Sequence, residues 1–167
     1  MRNRKVTYLV MAAAAGVALA VTALATPGSG VLSATVFARA SFQDPVDLKF
    51  KIKNGSQEVL KVLDTRETVV QQIVLSPGGQ TGWHSHPGPV IVLVKAGALT
   101  FYSGHDPECG SRTYTAGQAF IDSGQGHVHI ARNESASADL ELWAVYFDVP
   151  PGGAFRSDAP APGNCPF

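Results

Sequence analysis

Four of the five histidines fall in two His-x-His pairs, Trp83-His84-Ser85-His86 and Gly126-His127-Val128-His129. On an extended strand, residues i and i+2 project from one face. Two such strands laid side by side would aim four imidazoles into one space. Imidazole is the commonest protein metal ligand, and it suits zinc, copper, iron and nickel, whereas magnesium and calcium want oxygen. The fifth histidine, His105, sits in the Ser103-to-Cys109 loop and reads as a surface residue. The sequence holds no Ser/His/Asp or Cys/His nucleophile motif, no phosphate-cradling glycine loop and no helix-turn-helix.

The elements that must position these histidines read as strands. Leu48, Phe50 and Ile52 alternate with Lys49, Lys51 and Lys53, a period-2 pattern with one wet face. Asn54-Gly55 is a strong hairpin signal leading into residues 59–63. Further strands are expected over 31–38, 68–75, 90–94, 99–102, 119–122, 128–131 and 140–149. Turn signals separate them at Pro77-Gly78-Gly79, Ala96-Gly97, 104–110 and 124–126. No stretch after the leader shows a helical period. Many short strands with this punctuation mean an all-β sandwich or barrel, and a jelly roll is the common single-domain solution at this length.

Residues 1–25 have the layout of a secretory signal peptide: Arg2, Arg4 and Lys5, an uncharged Ala/Val/Leu-rich run, and Ala23-Leu24-Ala25 as a small-x-small cleavage site. Retention of residues 6–25 as a membrane anchor is the alternative, since roughly 20 apolar residues can span a bilayer. Cleavage leaves 142 residues with ten Lys/Arg against thirteen Asp/Glu. A net charge near −3 without clustered cations excludes nucleic-acid binding. Cys109 and Cys165 are the only cysteines, and outside the cytoplasm a disulfide between them is the default. That bond would tie a Pro/Gly-rich tail, residues 150–167, back onto a body spanning 26–149.

At this point the residues carry a family resemblance. Gly78-x5-His84-x-His86-x3-Val90-x6-Gly97 resembles the first cupin motif (residues 78–97), and Gly126-x2-His129-x3-Asn133 resembles the core of the second (residues 117–133). The resemblance implies a small, type-2-like conserved barrel, a double-stranded β-helix of jelly-roll type, with homodimerisation by analogy. It also implies metal ligands at His84, His86 and His129. Two positions depart from the pattern. Val90 stands where cupins usually place a glutamate ligand, and Gly124 stands where the second motif has its proline. His127 is the candidate replacement ligand, because it would share a strand face with His129; otherwise it faces solvent or Asp122.

Three neutral histidines leave the 2+ charge of an ion uncompensated, which favours an anionic external ligand. A protein that folds outside the cytoplasm meets little ferrous iron, which puts zinc or copper ahead of iron, manganese or nickel as the divalent transition metal. Gln80, Trp83, Tyr102 and Asn133 are candidates for orienting ligands or binding a small molecule. Two functions fit. One is an exported mononuclear metalloenzyme, an oxygenase or isomerase acting on a small anionic substrate; the other is a non-catalytic cupin that binds a metal or small ligand. The sequence leaves catalysis open.

Overall fold

A computed structural model describes residues 24–54 and 56–167. The expected leader falls almost wholly outside the described residues. Those described are all-β, with ten strands: β1 (Ser29–Asn54), β2 (Ser56–Gln80), β3 (His84–Ser85), β4 (Val90–Ala96), β5 (Ala98–Ser103), β6 (Ser111–Thr115), β7 (Ala119–Asp122), β8 (His129–Arg132), β9 (Leu140–Val149) and β10 (Ser157–Asp158). They form two facing layers, β1-β2-β9-β4-β7 and β10-β3-β8-β5-β6. The layers join where Gln80 at the end of β2 pairs with Arg132 of β8. The result is a nearly closed jelly-roll barrel, the fold class that the strand pattern implies.

Alternation explains which side chains fill it. Val90, Val92 and Val94 of β4 are buried while Leu93 and Lys95 face out. On β9, Leu140, Leu142, Ala144 and Tyr146 point inward in the same way. With Leu75, Leu99 and Val69 they make one apolar core between the layers. Burying such branched side chains is worth about 1.5–3 kcal/mol each, and the alternation fixes register, because a one-residue slip would turn every one of them outward.

The structure merges strands that the sequence separates. The expected strands at 31–38 and 48–52 belong to one long β1, and those at 59–63 and 68–75 to one β2. Register shifts, as between Ser41/Val46, absorb the irregular segments without ending the ladder. Pro77-Gly78-Gly79, read as a turn, instead lies inside β2. Gly78 has φ 72°, and Gly78 and Gly79 exchange backbone hydrogen bonds with Asn133, so the chain bends there without leaving the sheet. Cys109 and Cys165 are bonded to each other. The tail is built into the barrel: β10 pairs with β3, and the Phe155 ring lies 4.8 Å from that of Tyr146.

Candidate metal centre

β3 and β8 are adjacent antiparallel strands in which His84 pairs directly with His129. His86 lies just beyond β3, where Pro87-Gly88-Pro89 carries the chain across to β4, so its ring hangs between the layers. All three residues are about 5% exposed. One ligand atom from each lies within 4.8 Å of the others. The two histidine-bearing segments of the sequence therefore meet across a single strand pair inside a jelly roll. The barrel is a jelly roll of the kind that the two histidine motifs imply.

No family model matches the sequence, and no curated protein does either. Among solved structures, the chain is similar to a cupin-like protein from Thermotoga maritima, with 24% identity, TM-score 0.48, and coverage of 56% of this chain and 65% of that one. It is also similar to a Cupin 2 conserved barrel domain protein from Salinispora arenicola (20% identity, TM-score 0.40, 47% and 60% covered). A third likeness is to the polyketide cyclase RemF from Streptomyces resistomycificus (18% identity, TM-score 0.41, 47% and 52% covered). The chain spans less than two thirds of the length of each of these proteins.

The barrel orients its three rings in the same way. His84 Nδ1 lies 2.7 Å from the Gly82 carbonyl, His86 Nδ1 2.8 Å from that of Phe155, and His129 Nδ1 3.3 Å from that of His127. A carbonyl can only accept, so each Nδ1 carries the proton and each Nε2 keeps its lone pair. Burial lowers the pKa of His86 and of His129 to about 4 and that of His84 well below its ordinary value. All three rings are neutral at pH 7, the state in which imidazole binds a cation. They line an otherwise largely apolar cavity of about 40 Å³, walled by Val90, Val92, Phe101 and Leu142 among others. That is room for about three water-sized occupants. These donors suit a transition metal: three neutral nitrogen bases, each oriented by a backbone carbonyl, converge on one small space.

Across from the histidines, one row of the other layer reads Asp122–Val90–Tyr146 by strand register. Val90 is 1% exposed and lines the cavity, as the motif alignment expects of the position it shares with the cupin glutamate. Asp122 is 5% exposed. Its Oδ2 lies 3.7 Å from His129 Nε2 and 3.9 Å from His86 Nε2, and has no hydrogen-bond partner. Burial raises its pKa. Tyr146 donates its hydroxyl to Gln71 Oε1 at 2.8 Å, and burial raises its pKa as well. The sequence places Asp122 at the end of a strand and within possible reach of His127. Phe120 and Asp122 share a face of β7, and an aspartate in phase with a core phenylalanine was the available signal.

Several expected site residues lie elsewhere. His127 is exposed, and its ring is 4.9 Å from that of His105, outside the histidine cluster. β8 begins only at His129, so His127 is not on a strand and the i, i+2 rule does not apply to it. What it gives the site is its carbonyl, which accepts from His129. Trp83 is wholly buried in a second core with Ile130 and Ala159. Tyr102 likewise points away while its neighbour Phe101 stacks on His129, with ring centroids 4.9 Å apart; the Tyr102 hydroxyl reaches Glu134. Gln80 accepts from the Gly82 amide and donates to the Pro27 carbonyl. Asn133 donates to the carbonyls of Leu75, Ser76 and Ala138 and accepts from the Ser135 amide. These last two bind the protein's own backbone.

A second, more polar cavity of about 290 Å³ adjoins the first and shares Ile73, Thr81, His84 and Tyr146 with it. Arg156 is the one cationic side chain on its wall. It donates to the Thr81 carbonyl at 2.7 Å and pairs with Asp158. Nothing in the sequence singled this arginine out, because the tail reached the site only through the fold.

Proposed function

We propose that this is an exported cupin that holds one divalent transition metal on His84, His86 and His129 and receives a small anionic molecule beside it. The observation that carries the reading is the common orientation of the rings, each Nδ1–H committed to a backbone carbonyl and each Nε2 free within a buried cavity. Zinc or copper leads iron, manganese and nickel on the donor set and the compartment. Export is supported by the disulfide, which belongs to oxidising compartments, together with the leader-like start of the sequence. The anionic character of the ligand is supported by the 2+ charge that three neutral imidazoles leave uncompensated, and by Arg156 on the wall of the adjoining cavity, whose guanidinium would exchange its pair with Asp158 of the same wall for an incoming carboxylate.

An enzyme, an oxygenase or isomerase, is favoured over a passive binder by one feature. Tyr146 is a buried hydroxyl on the wall of the histidine cavity, beside the place of the ion. When bound, the ion would supply Lewis-acid or oxygen chemistry at its open position. Arg156 would orient the substrate's carboxylate, the Tyr146 oxygen, whose proton is committed to Gln71, would accept from a substrate donor, and the apolar wall would exclude water.

Calorimetric titration of EDTA-treated protein with zinc and with copper tests the reading. One equivalent should bind, and His84→Ala, His86→Ala and His129→Ala should each abolish it. A panel of small carboxylates should then raise the melting temperature of the loaded protein but not of Arg156→Ala. Absence of stoichiometric binding, or binding that survives all three histidine changes, would remove the metal reading.

A further inference from the structure

We propose that Asp122 is a fourth protein ligand of the ion, and that the anionic ligand missing from the first motif has moved to the neighbouring strand. The inference rests on the three-histidine reading above and deepens it. Val90 and Asp122 are direct cross-strand partners in the β4–β7 ladder. Partners of this kind have Cβ atoms about 4.5–5.5 Å apart on the same face. A carboxylate at 122 thus enters the barrel beside the place where one at 90 would stand.

The geometry agrees. Bonds of about 2.1 Å in a tetrahedral shell put neighbouring ligand atoms about 3.4 Å apart. Asp122 Oδ2 stands 3.7 and 3.9 Å from two of the imidazole nitrogens. Those distances are too long for hydrogen bonds, and the nitrogens already present lone pairs rather than protons. A direct carboxylate–imidazole pair therefore does not account for Oδ2. Nor does a cationic side chain: among the described residues, no Lys or Arg pairs with Asp122. A buried carboxylate oxygen with no partner costs several kcal/mol, and a metal ion in the histidine cavity would remove that cost.

The local backbone holds the carboxylate in this pose. Gly124 donates to Asp122 Oδ1 at 3.4 Å, which leaves Oδ2 directed at the rings. Gly124 has φ 58°, and a Cβ there would sit 1.8 Å from the Gly88 carbonyl. The turn after Asp122 can press against the segment before Val90 only because this residue is glycine. Both departures from the motif, valine for glutamate and glycine for proline, then belong to one rearrangement. Its consequence is a shell of three nitrogens and one anionic oxygen that takes an external molecule as a fifth ligand, which reduces the net charge on the site from 2+ to 1+ and admits manganese and iron more readily than three histidines alone would.

Cobalt(II) substitution tests this without any assay of activity. The EDTA-treated protein, Asp122→Ala and the near-isosteric Asp122→Asn are titrated with cobalt while the visible d–d bands are recorded. Residues that only support a ligand from outside the shell cost about 10–100-fold in affinity. Loss of Asp122 should exceed that range and change the band pattern, and adding Val90→Glu to Asp122→Ala should restore the affinity. The melting temperature of metal-free Asp122→Asn should rise, since a buried unpaired charge is gone, and this establishes that the variant folds. If the Asp122 variants match wild type in affinity and spectrum while His129→Ala loses cobalt, the fourth ligand is refuted and the three-histidine site stands. Failure of the wild type itself to take up cobalt would bring down both.

Discussion

Acidification should unfold the metal-free barrel across a defined pH window. The perturbation acts on His84, His86 and His129, which burial keeps neutral, the latter two down to about pH 4. Facing them are Asp122 from β7, Tyr146 from β9 and Arg156 from the tail. Tyr146, whose pKa burial raises, does not change charge in this range. In the unfolded chain each imidazole takes up a proton as the pH falls below about 6.5, whereas the native barrel refuses it until about pH 4. The contribution of each ring is therefore complete above pH 6.5 and is lost as the pH falls towards 4, at about 1.4 kcal/mol per pH unit. Three rings together give about 4 kcal/mol per unit, so two units of acidification would consume much of the roughly 5–15 kcal/mol typical of a domain. Asp122 opposes this loss, since its raised pKa makes the native state the better proton binder at that one site. Urea unfolding of EDTA-treated protein between pH 7 and pH 5, followed by fluorescence, reads the effect directly. Added zinc should contribute a constant stabilisation over this interval, because the Nε2 lone pairs stay free. A urea midpoint that does not move between pH 7 and pH 5 would refute the argument, for it would mean that the rings reach solvent.

Reduction of the Cys109–Cys165 bond, or Cys109→Ser, should cost about 4 kcal/mol on the chain-entropy account for its sequence separation of 56, seen as a lower melting temperature that reductant does not change further in the variant. Asn133→Ala removes the donor shared by three carbonyls and should cost about 3 kcal/mol, at about 1 kcal/mol for each group left unsatisfied. The fraction that still folds should keep its metal stoichiometry. Export should leave a mature chain beginning at Thr26, whose backbone nitrogen bonds the Ala159 carbonyl at 3.0 Å; terminal sequencing that finds Met1 would make the protein anchored or unprocessed instead.

The fold was legible because alternation is a local property. Val90, Val92 and Val94, or Leu140, Leu142 and Ala144, declare their inner face without reference to any other strand. The histidine cluster was legible for a different reason: the spacing of the two motifs carries the pairing of β3 with β8. Boundary and parity decide where two candidates lie: His127 comes two residues before β8 begins, and Tyr102 is one residue out of phase with Phe101 on the cavity wall. Gln80 and Asn133 instead bind backbone groups. Asp122 and Arg156 were passed over because their place depends on tertiary register. The first reaches the site through the β4–β7 ladder, and the second through a tail that doubles back to pair with β3. No local pattern holds that information.

The central claim is that His84, His86 and His129 hold a metal ion, and anomalous diffraction from zinc-soaked crystals at the zinc edge tests it most directly. The account predicts one strong peak between β3 and β8, within about 2.1 Å of the three Nε2 atoms, with no comparable peak at the exposed His105–His127 pair. A barrel interior without a peak, or a principal peak at His105 and His127, would contradict it.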